Sequence, residues 1–179
     1  MNSVSWARAA AFLSLAFAAA VIYAGKARAG SELLVDHVRE SNERFQDVAK
    51  ALAEDYVPVG CFGNINGGAM GVRYVNATYL RDKAVELRRP QALLYEPQPD
   101  GSMMLVAVQY MAVTGPASLE GQPFAFIGKP NVYDLEPIYE LTVWAWKPNT
   151  QGAFADINPS VSCSHAHGTG QAAVIFDLN

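Results

Sequence analysis

The segment that most constrains the fold is QALLYEPQPDGSMMLVAVQYMAV, residues 91–113, because it predicts a β-hairpin whose second strand is apolar on both faces. The two runs flank the turn QPDG, which has the Pro, Asp and Gly typical of tight turns. A strand that is apolar on both faces needs cover on each of them. In the second run, one side carries Met103, Leu105, Ala107 and Met111, interrupted by Gln109, and the other carries Met104, Val106, Val108 and Tyr110.

The rest of the chain predicts the other elements of an α+β fold. Apolar residues from Ser31 to Tyr56 recur at steps of three, four and seven, which predicts an amphipathic helix that Pro58 and Gly60 end. Further elements are predicted as a strand at 72–75, a helix at 77–89, a strand at 138–146 and a last strand at 171–178. We therefore predict an amphipathic N-terminal helix packed on a curved antiparallel β-sheet of about five strands.

The first 29 residues read as a signal peptide. Arg8 precedes an apolar run from Ala9 to Ala24, and small residues at Ala27 and Ala29 predict cleavage before Gly30. The alternative is an uncleaved anchor, but this run is shorter than the roughly 20 residues needed to span a bilayer. We predict a periplasmic or secreted protein with one α+β domain over residues 30–179 and no membrane association after cleavage.

Two cysteines, Cys61 and Cys163, remain in the exported chain. An even pair without CxxC spacing in an oxidising compartment predicts a structural disulfide. The bridge would tie the start of the domain to its end.

The charge pattern argues against a nucleic-acid partner. Without its first 29 residues the chain has ten basic side chains against the 17 acidic ones of the full sequence. The densest basic cluster, residues 81–89, is interleaved with Asp82 and Glu86, whereas polyanions are bound by continuous stripes of Lys and Arg. The glycines of GNINGGAMG match neither a P-loop nor a dinucleotide-binding loop.

The pattern GCFGNINGGAMGVRYVN, then PQALLYEPQPDGSMMLVAVQY, then YELTVWAWKPNTQGAFADINPSVSC, resembles a family of small secreted bacterial proteins of unknown function. The likeness covers residues 45–163, and it implies no activity. The resemblance associates histidines with positions 73 and 142. This chain has Arg73 and Thr142 there instead, so the resemblance implies no histidine-based site in it. The two cysteines match the family pattern, which supports the predicted bridge.

The stretch VSCSHAHG is a possible metal site. An extended backbone would place Cys163, His165 and His167 on one face, where they could bind copper or zinc. A disulfide at Cys163 would leave the two histidines, which can still hold either metal if a carboxylate such as Asp156 or Asp177 joins them. The alternative interpretation is a polar turn, and it is the one we favour, with no cofactor.

Two further function classes remain. Glu96 and Glu140 lie in or beside apolar strands, where burial could suit them to acid–base work in a hydrolase or isomerase. The preferred function is non-catalytic, with a small apolar or amphipathic ligand held in a concavity of the sheet. The residues predicted to line it are Arg73, Tyr95, Tyr110, Trp144 and Trp146, although the aromatic ones could equally fill the core.

Overall fold

A computed structural model describes residues 30–63, 67–129 and 136–166 of the chain. It shows a helical segment packed on a curled antiparallel sheet and one disulfide, which confirms the predicted α+β class. The compact unit that contains the sheet begins at Val35. The predicted strand at 171–178 lies outside the described residues, as does the segment predicted to be a signal peptide.

Three helices, one 3₁₀ turn and eight strands are assigned in these ranges. The helices are α1 (30–42), α2 (Val48–Ala53) and α3 (Ala77–Arg81), and the 3₁₀ turn is Glu43–Gln46. The strands are β1 (Val57–Gly63), β2 (Ala69–Val75), β3 (Ala92–Pro97), β4 (Met103–Ala112), β5 (Ser118–Leu119), β6 (Gln122–Pro123), β7 (Ala125–Ile127) and β8 (Ile138–Val143). Six strands form one sheet in the order β1-β2-β3-β4-β8-β7, with every neighbouring pair antiparallel, and β5 pairs with β6.

Polar side chains shorten both predicted helices. The helix predicted over 31–56 breaks at the 3₁₀ turn, and α2 starts afresh at Asp47, whose side chain accepts a hydrogen bond from Ala49 N. The helix predicted over 77–89 stops at Arg81, because Asp82 caps the backbone at Ala84 and Lys83 takes a positive φ of 62°.

The predicted hairpin is confirmed as β3 and β4, but a β-bulge changes its alternation. Leu94 pairs with Ala107 and Tyr95 with Leu105, so the register shifts by one residue between them. The expectation that Leu105 shares a side with Ala107 is therefore wrong. Leu105 pairs with Tyr95 and lies on the face of Tyr95, whereas Ala107 pairs with Leu94 and lies on the other face. Strand β8 ends at Val143, three residues before its predicted end.

The sheet has two covered faces. We call the face that carries Tyr74, Tyr95 and Tyr110 the helix face, because Tyr95 and Tyr110 hydrogen-bond to the N-terminal helical segment and to the chain at Leu87. The Tyr74 ring packs against that of Tyr95. Asn42 at the end of α1 donates to Tyr110 Oη over 3.3 Å. The opposite face, which carries Arg73, Leu94 and Gln109, is called the far face.

A segment after β8, residues 144–163, crosses the end of the sheet, and we call it the strap. Asn158 and Ala69 exchange two backbone hydrogen bonds of 3.1 Å each, which fixes the strap against β2. Asn158 is fully buried, and its side-chain amide donates to Pro148 O over 3.2 Å. Ser162 N donates to Glu96 Oε1 over 3.1 Å, so the strap is also attached to β3.

The strap ends in the predicted disulfide, Cys61–Cys163, with the two Cα atoms 5.8 Å apart and a sequence separation of 102 residues. Disulfides persist in oxidising compartments, so the bond indicates that the chain folds in one. Among the described residues, no helix is both long enough and apolar enough to cross a membrane.

Candidate functional site

Four buried polar side chains form a stripe across the far face. They are Arg73 on β2, Gln109 on β4, and Glu140 and Thr142 on β8, with exposed fractions of 1%, 0%, 5% and 1%. Pairing of Gln109 with Thr142 places them directly opposite each other, and Glu140 is the next residue of β8 on that face. We call these four residues the polar stripe.

The polar stripe separates two apolar clusters of the far face. One cluster lies around Met111 and the other around Leu94. Along each of β2, β4 and β8, the stripe residues of that strand lie between the residues of the two clusters. The Met111 cluster contains Val59, Val75, Leu80, Ala92, Met111 and Ile138, and the Leu94 cluster contains Ala69, Met70, Leu94, Val106, Ala107, Trp144 and Val161.

Gln109 organises the β8 half of the stripe. Its Nε2 donates to Glu140 Oε1 over 2.7 Å and to Thr142 Oγ1 over 3.0 Å. A carboxylate accepts hydrogen bonds, so the neighbouring Glu140 fixes the amide with its NH₂ group toward β8. Gln109 therefore holds the carboxyl group of Glu140 in one orientation.

Arg73 occupies the β2 end of the stripe. Its guanidinium carbon lies 4.7 Å from the centroid of the Phe62 ring, and Nη2 lies 3.1 Å from Met70 Sδ. The planar guanidinium is thus stacked against an aromatic face, an arrangement that Arg adopts in preference to Lys. The stripe carries an always-charged donor at one end and a carboxyl group at the other.

Two of the five predicted ligand-lining residues lie on the helix face instead. Tyr95 Oη donates to Phe45 O over 2.6 Å, and Tyr110 Oη donates to Leu87 O over 2.8 Å. Burial raises the pKa of both hydroxyls well above the usual range of tyrosine. Both tyrosines join the sheet to the segments that cover it, so the structure does not bring them to Arg73.

The two tryptophans differ from each other. Trp144 packs in the Leu94 cluster on the far face, and its Nε1 donates to Ala155 O over 2.5 Å. Trp146 follows the end of β8 and is half-buried, and its Nε1 has no hydrogen-bond partner within the described part of the chain. Of the five predicted residues, the far face therefore carries Arg73 and Trp144.

The two candidate acid–base residues, Glu96 and Glu140, do not meet. Glu96 pairs with Met104 and Glu140 with Met111, seven positions apart on β4. At about 3.3 Å per residue their separation along the sheet is roughly 20 Å, whereas carboxylates that act on one bond lie about 5–10 Å apart. Glu96 instead accepts hydrogen bonds from Lys147 Nζ and Ser162 N, which both belong to the strap. A hydrolase or isomerase mechanism that joins these two groups gains no support.

The C-terminal metal hypothesis loses its thiolate ligand, because Cys163 is bonded to Cys61. Ala166 N donates to Cys163 O over 3.0 Å, so residues 163–166 form a turn instead of the extended backbone that the three-ligand metal site requires. His165 is exposed, and His167 lies outside the described residues. Within the ranges that the structure describes, no group of three or more His, Cys, Asp or Glu side chains could hold a metal ion.

No family model matches the sequence, and no curated protein and no solved structure matches it. The resemblance to a family of secreted bacterial proteins stays a prediction.

Sequence reasoning missed Gln109 and Thr142 as site residues, and it considered Glu140 only as an acid–base partner of Glu96. The signal for Gln109 was its interruption of an otherwise apolar strand side. Glu140 and Thr142 carried the same signal, since they alternate with Leu141 and Val143. What could not be read from the sequence is that the register of β4 with β8 joins the three residues.

Proposed function

We propose that this protein is an exported, non-catalytic binding domain that takes a small amphipathic molecule at the far face of its sheet. The polar stripe would recognise the polar groups of the ligand, and the two flanking clusters would contact its apolar parts. Binding sites of this kind combine an apolar lining with a few fixed polar groups.

The observation that carries the proposal is the polar stripe itself. Burial of a guanidinium and a carboxyl group costs several kcal/mol per ion, and hydrophobic residues of similar volume often stabilise a fold equally well or better. The far face is apolar on both sides of the stripe, so an apolar residue at each of these positions would continue the core. We therefore assign the stripe to recognition of a ligand.

The chemistry of the stripe defines the kind of ligand. Arg73 offers planar donors that suit a carboxylate, a phosphate or another acceptor. Glu140, held by Gln109, offers an acceptor for a hydroxyl, amine or amide donor. A small molecule with an acceptor group and a donor group separated by an apolar portion would fit this order of groups.

Because the four stripe side chains are at most 5% exposed, a ligand reaches them after part of the cover over the far face has moved. Association that requires such a change is slower than typical encounter, for which the rate constant is about 10⁵–10⁷ M⁻¹s⁻¹. The proposed site is thus a closed one, filled slowly and emptied slowly.

Export is part of the proposal. The predicted signal peptide and the disulfide both support a periplasmic or secreted location. We treat residues 30–179 as the functional chain.

Analysis of co-purified small molecules tests the proposal. The exported protein is purified, denatured, and the released compounds are identified by mass spectrometry. We expect a compound that is released by the wild type and by the Arg81→Met control, whose exposed side chain lies at the end of α3, but not by Arg73→Met or Glu140→Gln. A compound released equally by all four proteins, or by none of them, would contradict the proposal.

A further inference from the structure

The edge of β1 that faces away from β2 is open in the part of the chain that the structure describes, and we call it the outer edge. β1 stands at one end of the strand order, so among the described strands it pairs with β2 alone. An open edge presents unpaired backbone N–H and C=O groups, which proteins protect with a short edge strand, charged side chains or a covering segment. β1 is seven residues long, and its sequence, VPVGCFG, has no charged side chain. A covering segment is the protection that remains.

The other end of the sheet is protected by its shape and charge. β7 has three residues, Ala125–Ile127, and Lys129 lies just beyond it. A strand this short, with a charged residue beside it, is a poor template for pairing. Of the two edges, the outer edge of β1 is therefore the one suited to accept a further strand.

Apolar side chains at the outer edge are incompletely covered on the far face. Val57 pairs with Val75 and Phe62 with Gly71, so both side chains lie on the face of the Met111 cluster. Val75, one strand further in, is 1% exposed, whereas Val57 is 53% exposed. Phe62 packs against both apolar clusters and is half-buried. The apolar layer of the far face thus ends at β1, where a further strand would continue it.

The strap leads the chain to this edge. Ser162 N is bound by Glu96 of β3, and the next residue, Cys163, is bonded to Cys61 of β1. The strap therefore crosses from β3 to β1 before it ends. After the turn that the hydrogen bond from Ala166 N to Cys163 O closes, residues 167–179 of the sequence follow. They begin within a few residues of the outer edge.

We infer that residues 171–178 of the same chain pair antiparallel with the outer edge of β1 as a further strand of the sheet. These residues, QAAVIFDL, are the strand that the sequence predicts. Alternate positions give the segment one wholly apolar side and a second side that carries a Gln and an Asp. The apolar side consists of Ala172, Val174, Phe176 and Leu178. This side would lie on the far face, beside Val57 and Phe62.

The short connection favours the antiparallel direction. An antiparallel strand begins at the Gly63 end of β1, close to Cys61, whereas a parallel strand begins at Val57, farther from the disulfide. The connecting residues 167–170, HGTG, include two glycines, which suit a tight reversal of the chain. A strand that starts near the bridge needs no longer connection than this.

The tether also favours the chain's own segment over the same segment of a second copy. A short flexible linker gives the attached segment an effective concentration in the millimolar range. A segment from another molecule, at micromolar protein concentration, competes poorly with it. The occupant of the outer edge is therefore assigned to the same chain.

Nuclear magnetic resonance of the purified exported protein tests this inference. We expect nuclear Overhauser contacts between Hα protons of residues 171–178 and Hα protons of β1, since opposite residues of an antiparallel pair bring these protons close together. Samples mixed from isotope-labelled and unlabelled chains show whether a contact lies within one chain or between two copies. We expect all contacts between the segment and β1 to lie within one chain.

Two substitutions on opposite sides of the segment complete the test. Phe176→Asp places a charge on the apolar side, and the matched control Ile175→Asp places the same charge on the other side. We expect the amides of the outer edge to exchange with solvent at least about tenfold faster in Phe176→Asp, and within about twofold of the wild-type rate in Ile175→Asp. Unchanged exchange in β3 and β4 would show that the rest of the sheet is intact.

Four results would each overturn the inference. They are contacts of residues 171–178 with β7, contacts of this segment with β1 of a second copy, absence of contacts with β1, and equal exchange of the outer edge in the two variants.

Discussion

Gln109 Nε2 and Glu140 Oε1 lie 2.7 Å apart and join strands β4 and β8 within the apolar far face. Both residues are buried, and the same amide nitrogen also reaches Thr142. A polar contact in this position restricts the register of β8 on β4, because a shift by one residue would move Glu140 to the helix face. The contact also orients a carboxyl group toward the interior of the protein.

Removal of Gln109 alone should destabilise the fold. Gln109→Leu takes a donor from the buried Glu140, and we expect the free energy of unfolding to fall by about 2–3 kcal/mol, as urea unfolding at pH 7 would measure.

Replacement of all four stripe residues should lower the free energy of unfolding no more than Gln109→Leu alone does. We expect the variant Arg73→Met, Gln109→Leu, Glu140→Met and Thr142→Val to be at least as stable as Gln109→Leu, because buried charges and their desolvation are removed together. A fourfold variant that is less stable than Gln109→Leu would show that the stripe is needed for the fold, and it would contradict the functional assignment.

Alkaline pH should unfold the protein through its buried tyrosines. Burial raises the pKa of Tyr56, Tyr95 and Tyr110, so these groups stay protonated in the folded chain while the unfolded chain ionises above about pH 10. The folded state then binds more protons, and stability that is complete below pH 10 is lost as pH rises. Each tyrosine contributes a slope of about 1.4 kcal/mol per pH unit.

Tyr95→Phe and Tyr110→Phe each remove one of these titrating hydroxyls and so test its contribution to the slope. Each variant loses a hydrogen bond to a backbone carbonyl and should be about 1–2 kcal/mol less stable at pH 7. Above pH 10, however, the free energy of unfolding of each variant should fall less steeply with pH, by the slope that one tyrosine contributes. Urea unfolding between about pH 8 and 11.5 would show the difference. An unchanged slope would mean that these hydroxyls reach solvent in the folded state.

Gly71 should not tolerate a side chain. A Cβ atom there would lie 2.5 Å from Tyr95 O, and the residue has a φ of 96°. Gly101 is a matched control, since its φ is 84° and a Cβ atom added there would meet no heavy atom within 4 Å. We expect a loss of about 1 kcal/mol for Gly101→Ala from backbone strain, and at least about 3 kcal/mol for Gly71→Ala, measured by urea unfolding. Equal losses would mean that β3 moves aside without cost.

The strap should remain docked without its disulfide as long as Asn158 is present. Cys61→Ala with Cys163→Ala should lower the free energy of unfolding by about 5 kcal/mol in the chain-entropy account of a loop of this length. Hydrogen exchange should still protect Ala69 N, which donates to Asn158 O. Addition of Asn158→Ala to this variant should remove that protection. Loss of protection in the variant that lacks the disulfide alone would show that the bond holds the strap.

The sequence predicted the class of the fold because the hairpin 91–113 and the helical periodicity are both strong local patterns. It missed strand β1, because Pro58 and Gly60 were read as a helix stop, whereas a register shift between these two residues accommodates them within the strand. It also missed the bulge at Val106 of β4, which lies between the partners of Leu94 and Tyr95 and leaves no trace in the order of apolar residues.

The candidate site was predicted in part. The sequence predicts Arg73 as a ligand-lining residue and groups Tyr95 and Tyr110 with it, because a sequence does not show which face of the sheet each side chain takes. Their hydroxyls bind Phe45 O and Leu87 O, partners that are distant in sequence and are brought near by the segments that cover the helix face. Conversely, Gln109 and Glu140 carry no motif, and they are recognised as a site because the fold buries them together.

An experimental structure of the protein purified with its co-purified compound would test the central claim most directly. We predict a small molecule on the far face, with an acceptor group within hydrogen-bond distance of the Arg73 guanidinium and a donor group at the Glu140 carboxylate. A bound molecule placed elsewhere, or a far face filled entirely by protein side chains in the presence of that compound, would contradict the assignment of the polar stripe.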